Sequence, residues 1–194
     1  MKALIIIDAQ YDFFDPRGKL PVPNAPDIVD VINQLRQKAY EKGVKVIYTI
    51  DWHKEDDPEF KIWPPHCIAN TEGAEIIGEL SPRAGDLVMP KQQLSVFSNK
   101  DAIEMLKDID EVFLTGVATE YCVRGFALGE PENDIDGAAG LDKKVNLVVD
   151  AIKGVDEIPG VSNTRGRVVF AAVEMGKAGV VPMYFEETME KLGE

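Results

Sequence analysis

The chain has 194 residues, 45% of them hydrophobic and 28% charged, and a formal net charge of −13. That composition suits one globular domain spanning 1–194, with a full core. The negative charge argues against nucleic acid and anionic membranes as partners, because both repel an acidic surface.

No apolar run reaches the length of a membrane span, and the run before Asp8 is too short for a signal peptide. Two cysteines, Cys67 and Cys122, make no disulfide framework, so a cytoplasmic protein with reduced thiols is expected.

Apolar runs alternate with helical patterns along the chain. Ala3 to Ile7 reads as a short buried strand ending at Asp8. Asp27 to Gly43 reads as a helix, with Ile28, Val31, Ile32, Leu35 and Ala39 at helical spacing and Gly43 closing it. Val44 to Ile50 is a second strand ending at Asp51, and Asp86 to Pro90 a third ending at Lys91. Asn99 to Ile109 has helical spacing, with Ile103, Leu106 and Ile109 inward. Glu111 to Val117 is a fourth strand, followed by a helix that opens near Thr119. Gly129 to Asp142 reads as an exposed loop. Val145 to Val149 is a fifth strand, Ser162 to Gly179 a long helix, Val180 to Phe185 a sixth strand, and a short helix follows.

Strands that are apolar on both faces and alternate with helices predict a three-layer α/β fold: a six-stranded, mostly parallel sheet covered on both sides. In such sheets the site lies beyond the carboxyl ends of the strands. Those ends deliver Asp8, Asp51, Lys91 and the run Gly116 to Cys122 to one edge.

Cys122 is the candidate nucleophile. With Thr119 as N-cap it falls in a first helical turn, where free N–H groups, helped by Lys91, favour a thiolate. The backbone N–H groups of Cys122 and Ala118 could hold a developing oxyanion. Asp8 could take the thiol proton and later pass it to a leaving amine. Each has a plain alternative: a packed thiol, a polar strand end, a solvated lysine. The only histidines, His53 and His66, lie close to Asp51 in sequence, and this mixed N/O set suits a divalent metal. Phe13, Phe14 and Trp63 could sandwich a flat ring or form a small apolar cluster.

The segments Asp8 to Phe13, Asp51-Trp52-His53, Trp63 to Cys67, Lys91, Gly116 to Val123 and Asp150 to Val155 occur in order. Together they resemble the isochorismatase-like cysteine hydrolases, and among these the nicotinamidase/pyrazinamidase branch. The resemblance implies a catalytic triad of Asp8, Lys91 and Cys122, with an oxyanion hole at Ala118 and Cys122. It implies a cis Val117–Ala118 peptide bond and Phe13 and Trp63 stacked on the substrate ring. It also implies one divalent ion, zinc with iron or manganese as alternatives, held by Asp51, His53 and His66. The implied activity is hydrolysis of nicotinamide to nicotinic acid and ammonia through a thioester, with a place in NAD salvage and a homo-oligomeric assembly. Alternatives are the same chemistry on another small amide or carbamoyl compound, an inactive homologue, and a receiver-like signalling domain. A receiver domain also places acids and a lysine at a sheet edge but has no use for Cys122, His53 or His66.

Overall fold

The computed structural model describes residues 1–155 and 167–194. In chain order its strands are β1 (Lys2–Ile7), β2 (Lys45–Asp51), β3 (Leu87–Lys91), β4 (Glu111–Val117), β5 (Gly129–Glu130), β6 (Ile135–Asp136), β7 (Lys144–Lys153) and β8 (Val181–Met183). Its α-helices are α1 (Tyr11–Phe14), α2 (Val29–Lys42), α3 (Lys100–Met105), α4 (Arg124–Leu128), α5 (Arg167–Lys177) and α6 (Phe185–Gly193).

Among the described residues the main sheet has six strands in the order β3-β2-β1-β4-β7-β8. Every pairing within it is parallel. Side chains alternate across a strand, so β1 serves two cores. Ala3, Ile5 and Ile7 pack with Ala102, Phe126, Ala171 and Met175 on one face. Leu4 and Ile6 pack with Ile32, Leu35, Ala39 and Leu192 on the other. The three-layer α/β expectation therefore holds. No helix among the described residues is long and apolar enough to cross a membrane.

The chain winds outward from β1 in both directions, so the strand order reverses between β1 and β4. A crevice opens at the carboxyl ends there. Gly116 keeps these two strands close: its φ is +104°, and an added Cβ would lie 2.0 Å from the Ile7 carbonyl oxygen. A side chain at this position would force the floor of the crevice apart.

Several elements differ from expectation. The third strand takes in Lys91, because Lys91 pairs in register with Asp51. The helix expected at Asn99–Ile109 stops at Met105, and Ile103 is exposed. Ala102, Leu106 and Ile109 form the inward line instead, and Ile103 sits a step of about 100° away from it. The fifth strand runs on to Lys153 through a register shift between Leu114 and Gly116. The last strand is short because Tyr184 already caps α6. Of the long helix expected at Ser162–Gly179, residues 162–166 lie outside the described residues, and α5 accounts for most of the rest.

Gly129–Asp142 is exposed only in part, at Pro131 to Asp134, Asp136, Gly140 and Asp142. It holds the antiparallel β5–β6 pair, and Gly129, Glu130, Gly137 and Ala138 are buried. Hydrogen bonds from Ala138 N to Phe126 O (2.9 Å) and from Ala139 N to Ala127 O (3.0 Å) tie it to α4.

Candidate active site

The sheet order explains the site. β3, β2, β1 and β4 are neighbours, so their carboxyl ends set Lys91, Asp51, Asp8 and the turn bearing Cys122 side by side. Lys91 is buried among them. Its Nζ lies 2.9 Å from Asp8 Oδ2, donates to Cys122 Sγ at 3.3 Å, and also pairs with Asp51 Oδ1. The ligand atoms of Asp8, Asp51 and Cys122 lie within 4.8 Å of one another. Thr49 Oγ1 donates to Asp8 Oδ1 at 2.8 Å and fixes that carboxylate.

The turn bearing Cys122 departs from expectation. Ala118, not Thr119, is the N-cap. Val123 N and Tyr121 N both donate to Ala118 O, at 3.1 and 3.0 Å, which makes a wide π-helical turn at Thr119–Val123 ahead of α4. The Val117–Ala118 peptide is cis, as the family resemblance implied.

Nor is the thiolate favoured in the protein alone. Burial pushes the Cys122 thiol well up, Lys91 opposes this, and the carboxylates of Asp8 and Asp51 push it further. Burial also raises Asp8, with Lys91 opposing and Asp51 adding to the rise. Asp51 is the contrasting case: burial works to raise it, but Lys91, His53 and His66 hold it well below the usual carboxylate range. The two acids beside Lys91 are thus set apart in proton affinity by their neighbours.

Asp51, His53 and His66 come together as one cluster of buried ligand atoms. His53 Nε2 and His66 Nε2 each lie 3.8 Å from Asp51 Oδ2. That gap is too long for a hydrogen bond but within the ~4.2 Å that two metal–ligand bonds of about 2.1 Å can span. His66 Nδ1 meets the Pro64 carbonyl oxygen at 2.8 Å. A carbonyl only accepts, so Nδ1 carries the proton and Nε2 of the neutral ring keeps its lone pair for a ligand. His53 Nδ1 meets Asp57 Oδ2 at 3.1 Å, and its Nε2 is buried with no hydrogen-bond partner among the described residues. An orphaned ring nitrogen beside a carboxylate is what a divalent ion would satisfy, so the donor set fits the group.

Sequence reasoning gave no role to the residues that hold these donors. Gln10 is fully buried and clasps both backbone groups of Asp51. Its Nε2 donates to Asp51 O at 2.7 Å and to Ala74 O at 2.8 Å, and its Oε1 accepts from Asp51 N at 2.8 Å. Asp12 accepts from Cys67 N at 2.7 Å and Lys19 N at 3.0 Å, which pins the backbone next to His66. The Phe60 ring packs edge-on against both imidazoles, with centroids 5.5 and 5.8 Å away. Asp57 could have been flagged as an acid four residues after His53, and Gln10 as an amide two after Asp8. Their partners depend on folding.

A cavity of about 440 Å³ opens over Cys122 and Asp8. Phe13, Trp63, Tyr121 and Leu94 form its apolar walls, and Asp51 and His66 of the candidate metal cluster also line it. Trp63 meets Tyr121 edge-on at 5.2 Å. Phe13 and Trp63 therefore line the same space as the candidate nucleophile, whereas Phe14 is buried in the core.

With this geometry in place, comparisons with known proteins are informative. The profile of the isochorismatase domain matches residues 2–158. The nicotinamidase of Escherichia coli is 29% identical over 211 residues, covering 92% of this chain and 92% of that protein. The crystal structure of the pyrazinamidase of Pyrococcus horikoshii in complex with zinc has a TM-score of 0.80 at 32% identity, covering 94% of this chain and 98% of that one. The N-carbamoylsarcosine amidase of Thermoplasma acidophilum has a TM-score of 0.75 at 27% identity, covering 95% and 96%.

Proposed function

Since the chain belongs to the isochorismatase domain family, we propose that it is a cysteine amidohydrolase converting nicotinamide and water to nicotinic acid and ammonia. The observation that carries this reading is the placement of Lys91 Nζ, 2.9 Å from Asp8 and 3.3 Å from Cys122, under an aromatic-walled cavity. The E. coli nicotinamidase and the zinc-complexed pyrazinamidase support the substrate and the ion.

The buried Cys122 thiol is a poor nucleophile until its proton leaves. Asp8, its own proton affinity raised by burial, is the acceptor within reach. Sγ then attacks the carboxamide carbon, and the N–H groups of Ala118 and Cys122 receive the oxyanion. Asp8 returns the proton to the nitrogen, the C–N bond breaks, and ammonia leaves a thioester on Cys122. Water, deprotonated by Asp8, attacks the thioester carbon. The C–S bond breaks, nicotinic acid leaves, and the thiol is restored. Lys91 offsets negative charge as it passes between carboxylate and sulfur. Phe13 and Trp63 hold the flat ring. A divalent ion held by Asp51, His53 and His66 would supply a Lewis-acid anchor for the pyridine nitrogen.

The N-carbamoylsarcosine amidase neighbour supports a second reading, the same thioester chemistry on a small carbamoyl compound. Ammonia release from nicotinamide, pyrazinamide and N-carbamoylsarcosine separates the two. Nicotinamide is the expected best substrate, and Cys122→Ala and Asp8→Asn are each expected to lose at least about 10²-fold in rate. Wild-type turnover by either variant rules the mechanism out.

A further inference from the structure

The residues between α4 and β7 have no part in the chemistry above, yet they are built with care. Glu130 is buried there. Its Oε1 accepts the Ser95 backbone N–H at 2.7 Å, and its Oε2 accepts from Asn133 Nδ2 at 3.0 Å. Ser95 is itself fully buried, and its hydroxyl caps the turn at Val96–Ser98 by accepting from Phe97 N at 3.3 Å.

One residue earlier, Leu94 lines the cavity over Cys122. Gly125 of α4 lets the Leu94 backbone come close, since an added Cβ would sit 2.9 Å from the Leu94 carbonyl. Phe97 packs on Phe126 of the same helix at 5.1 Å between ring centroids. Glu130 therefore joins the β5–β6 segment to the loop that follows Lys91, and Leu94 is that loop's contact with the cavity.

We propose that the β5–β6 segment sets the width of the substrate cavity: Glu130 is a positioning residue that holds Leu94, and Leu94 is a specificity-determining wall. The identity of the ligand rests on the amide-hydrolase reading; the fixing of the loop does not. Without the carboxylate, the buried Ser95 N–H lacks its acceptor, and the loop gains by moving toward water. Leu94 moves with it and the bound ring loses a wall. Lys91 stays put, because it is paired with Asp51 in the sheet and its carbonyl accepts from Trp52 N at 2.9 Å. Binding should suffer more than chemistry.

The test combines steady-state kinetics on nicotinamide with hydrogen–deuterium exchange across residues 92–98. Glu130→Ala is expected to raise KM about tenfold, the usual scale for one charge-assisted hydrogen bond, with kcat within about twofold and faster exchange in 92–98. Glu130→Gln keeps an acceptor for the Ser95 N–H but gives up the one for Asn133, and is expected to fall between wild type and Glu130→Ala. The KM penalty of Glu130→Ala should vanish in a Leu94→Ala background. Should Glu130→Ala not fold, Asn133→Ala, an exposed change that frees Glu130 Oε2, is expected to show the same pattern at smaller size. Unchanged exchange at 92–98 overturns the proposal whether or not nicotinamide is turned over, and so does a KM penalty that persists without Leu94. Wild-type enzyme inert toward nicotinamide, with faster exchange in the variant, would overturn the substrate reading and sustain the loop assignment.

Discussion

Lys91 Nζ donates to Cys122 Sγ at 3.3 Å while the same ammonium pairs with the carboxylates of Asp8 and Asp51. One buried cation thus joins the sulfur, the proposed proton-transfer acid and a candidate metal ligand. The proton affinities of Asp8, Asp51 and Cys122 are all set in part by Lys91, so no member of the cluster can be altered in isolation.

Removing that cation should cost stability as well as activity. Lys91→Met leaves two buried carboxylates without their common partner, and breaking a buried pair in this way costs about 3–5 kcal/mol. Urea unfolding should show a midpoint shift of that size at unchanged slope. A loss below about 1 kcal/mol, the range of an exposed pair, would contradict the buried bridge.

Gln10 should act on the metal without touching it. Gln10→Leu keeps the bulk but removes all three hydrogen bonds to Asp51 and Ala74. The expected result is a 10–100-fold weaker zinc affinity, the usual size for loss of a residue that orients a ligand. Competition against a chromophoric chelator measures it. Unchanged affinity would show that Asp51 is held by the sheet alone.

The pH dependence of metal uptake follows from His53. Burial opposes its protonation, but Asp51 and Asp57 outweigh burial and push it up to about 9. A metal binds the neutral ring, so uptake below that pH must expel a proton, and affinity falls as pH falls. Calorimetry in buffers of different ionisation enthalpy should find about one proton released at pH 7 and none at pH 10. In the metal-free protein the same raised value stabilises the fold below the ordinary 6.5, and that contribution is lost as pH rises through about 9. Asp57→Asn should reduce both effects. Proton release that is the same at pH 7 and pH 10 would contradict the assignment.

The candidate site at the sheet edge is legible in the sequence because parallel strands announce themselves as apolar runs, and each of these runs leads to a polar or reactive residue. Asp8, Asp51, Lys91 and the turn to Cys122 needed only the rule that loops at the carboxyl ends converge. The supports were not legible. Gln10, Asp12 and Asp57 act through backbone groups and a ring nitrogen on distant segments, and such partners are fixed by folding rather than by spacing. Glycine and aspartate are turn formers, so the stretch from Gly129 to Asp142 reads as exposed throughout, whereas its two flanks, Gly129–Glu130 and Gly137–Ala138, are buried. Their burial comes from tertiary contact with α4 and Ser95. Cys122 follows a related pattern: a helix start favours a thiolate, but burial and two acids outweigh one lysine.

Peptide mapping of protein quenched with acid during turnover of nicotinamide should trap the thioester. A nicotinoyl group is expected on the peptide containing Cys122, present in wild type and missing in Cys122→Ala. Sustained ammonia release with no acyl group on that peptide under any quench time, or with an acyl group on Cys67 instead, would contradict the proposed mechanism.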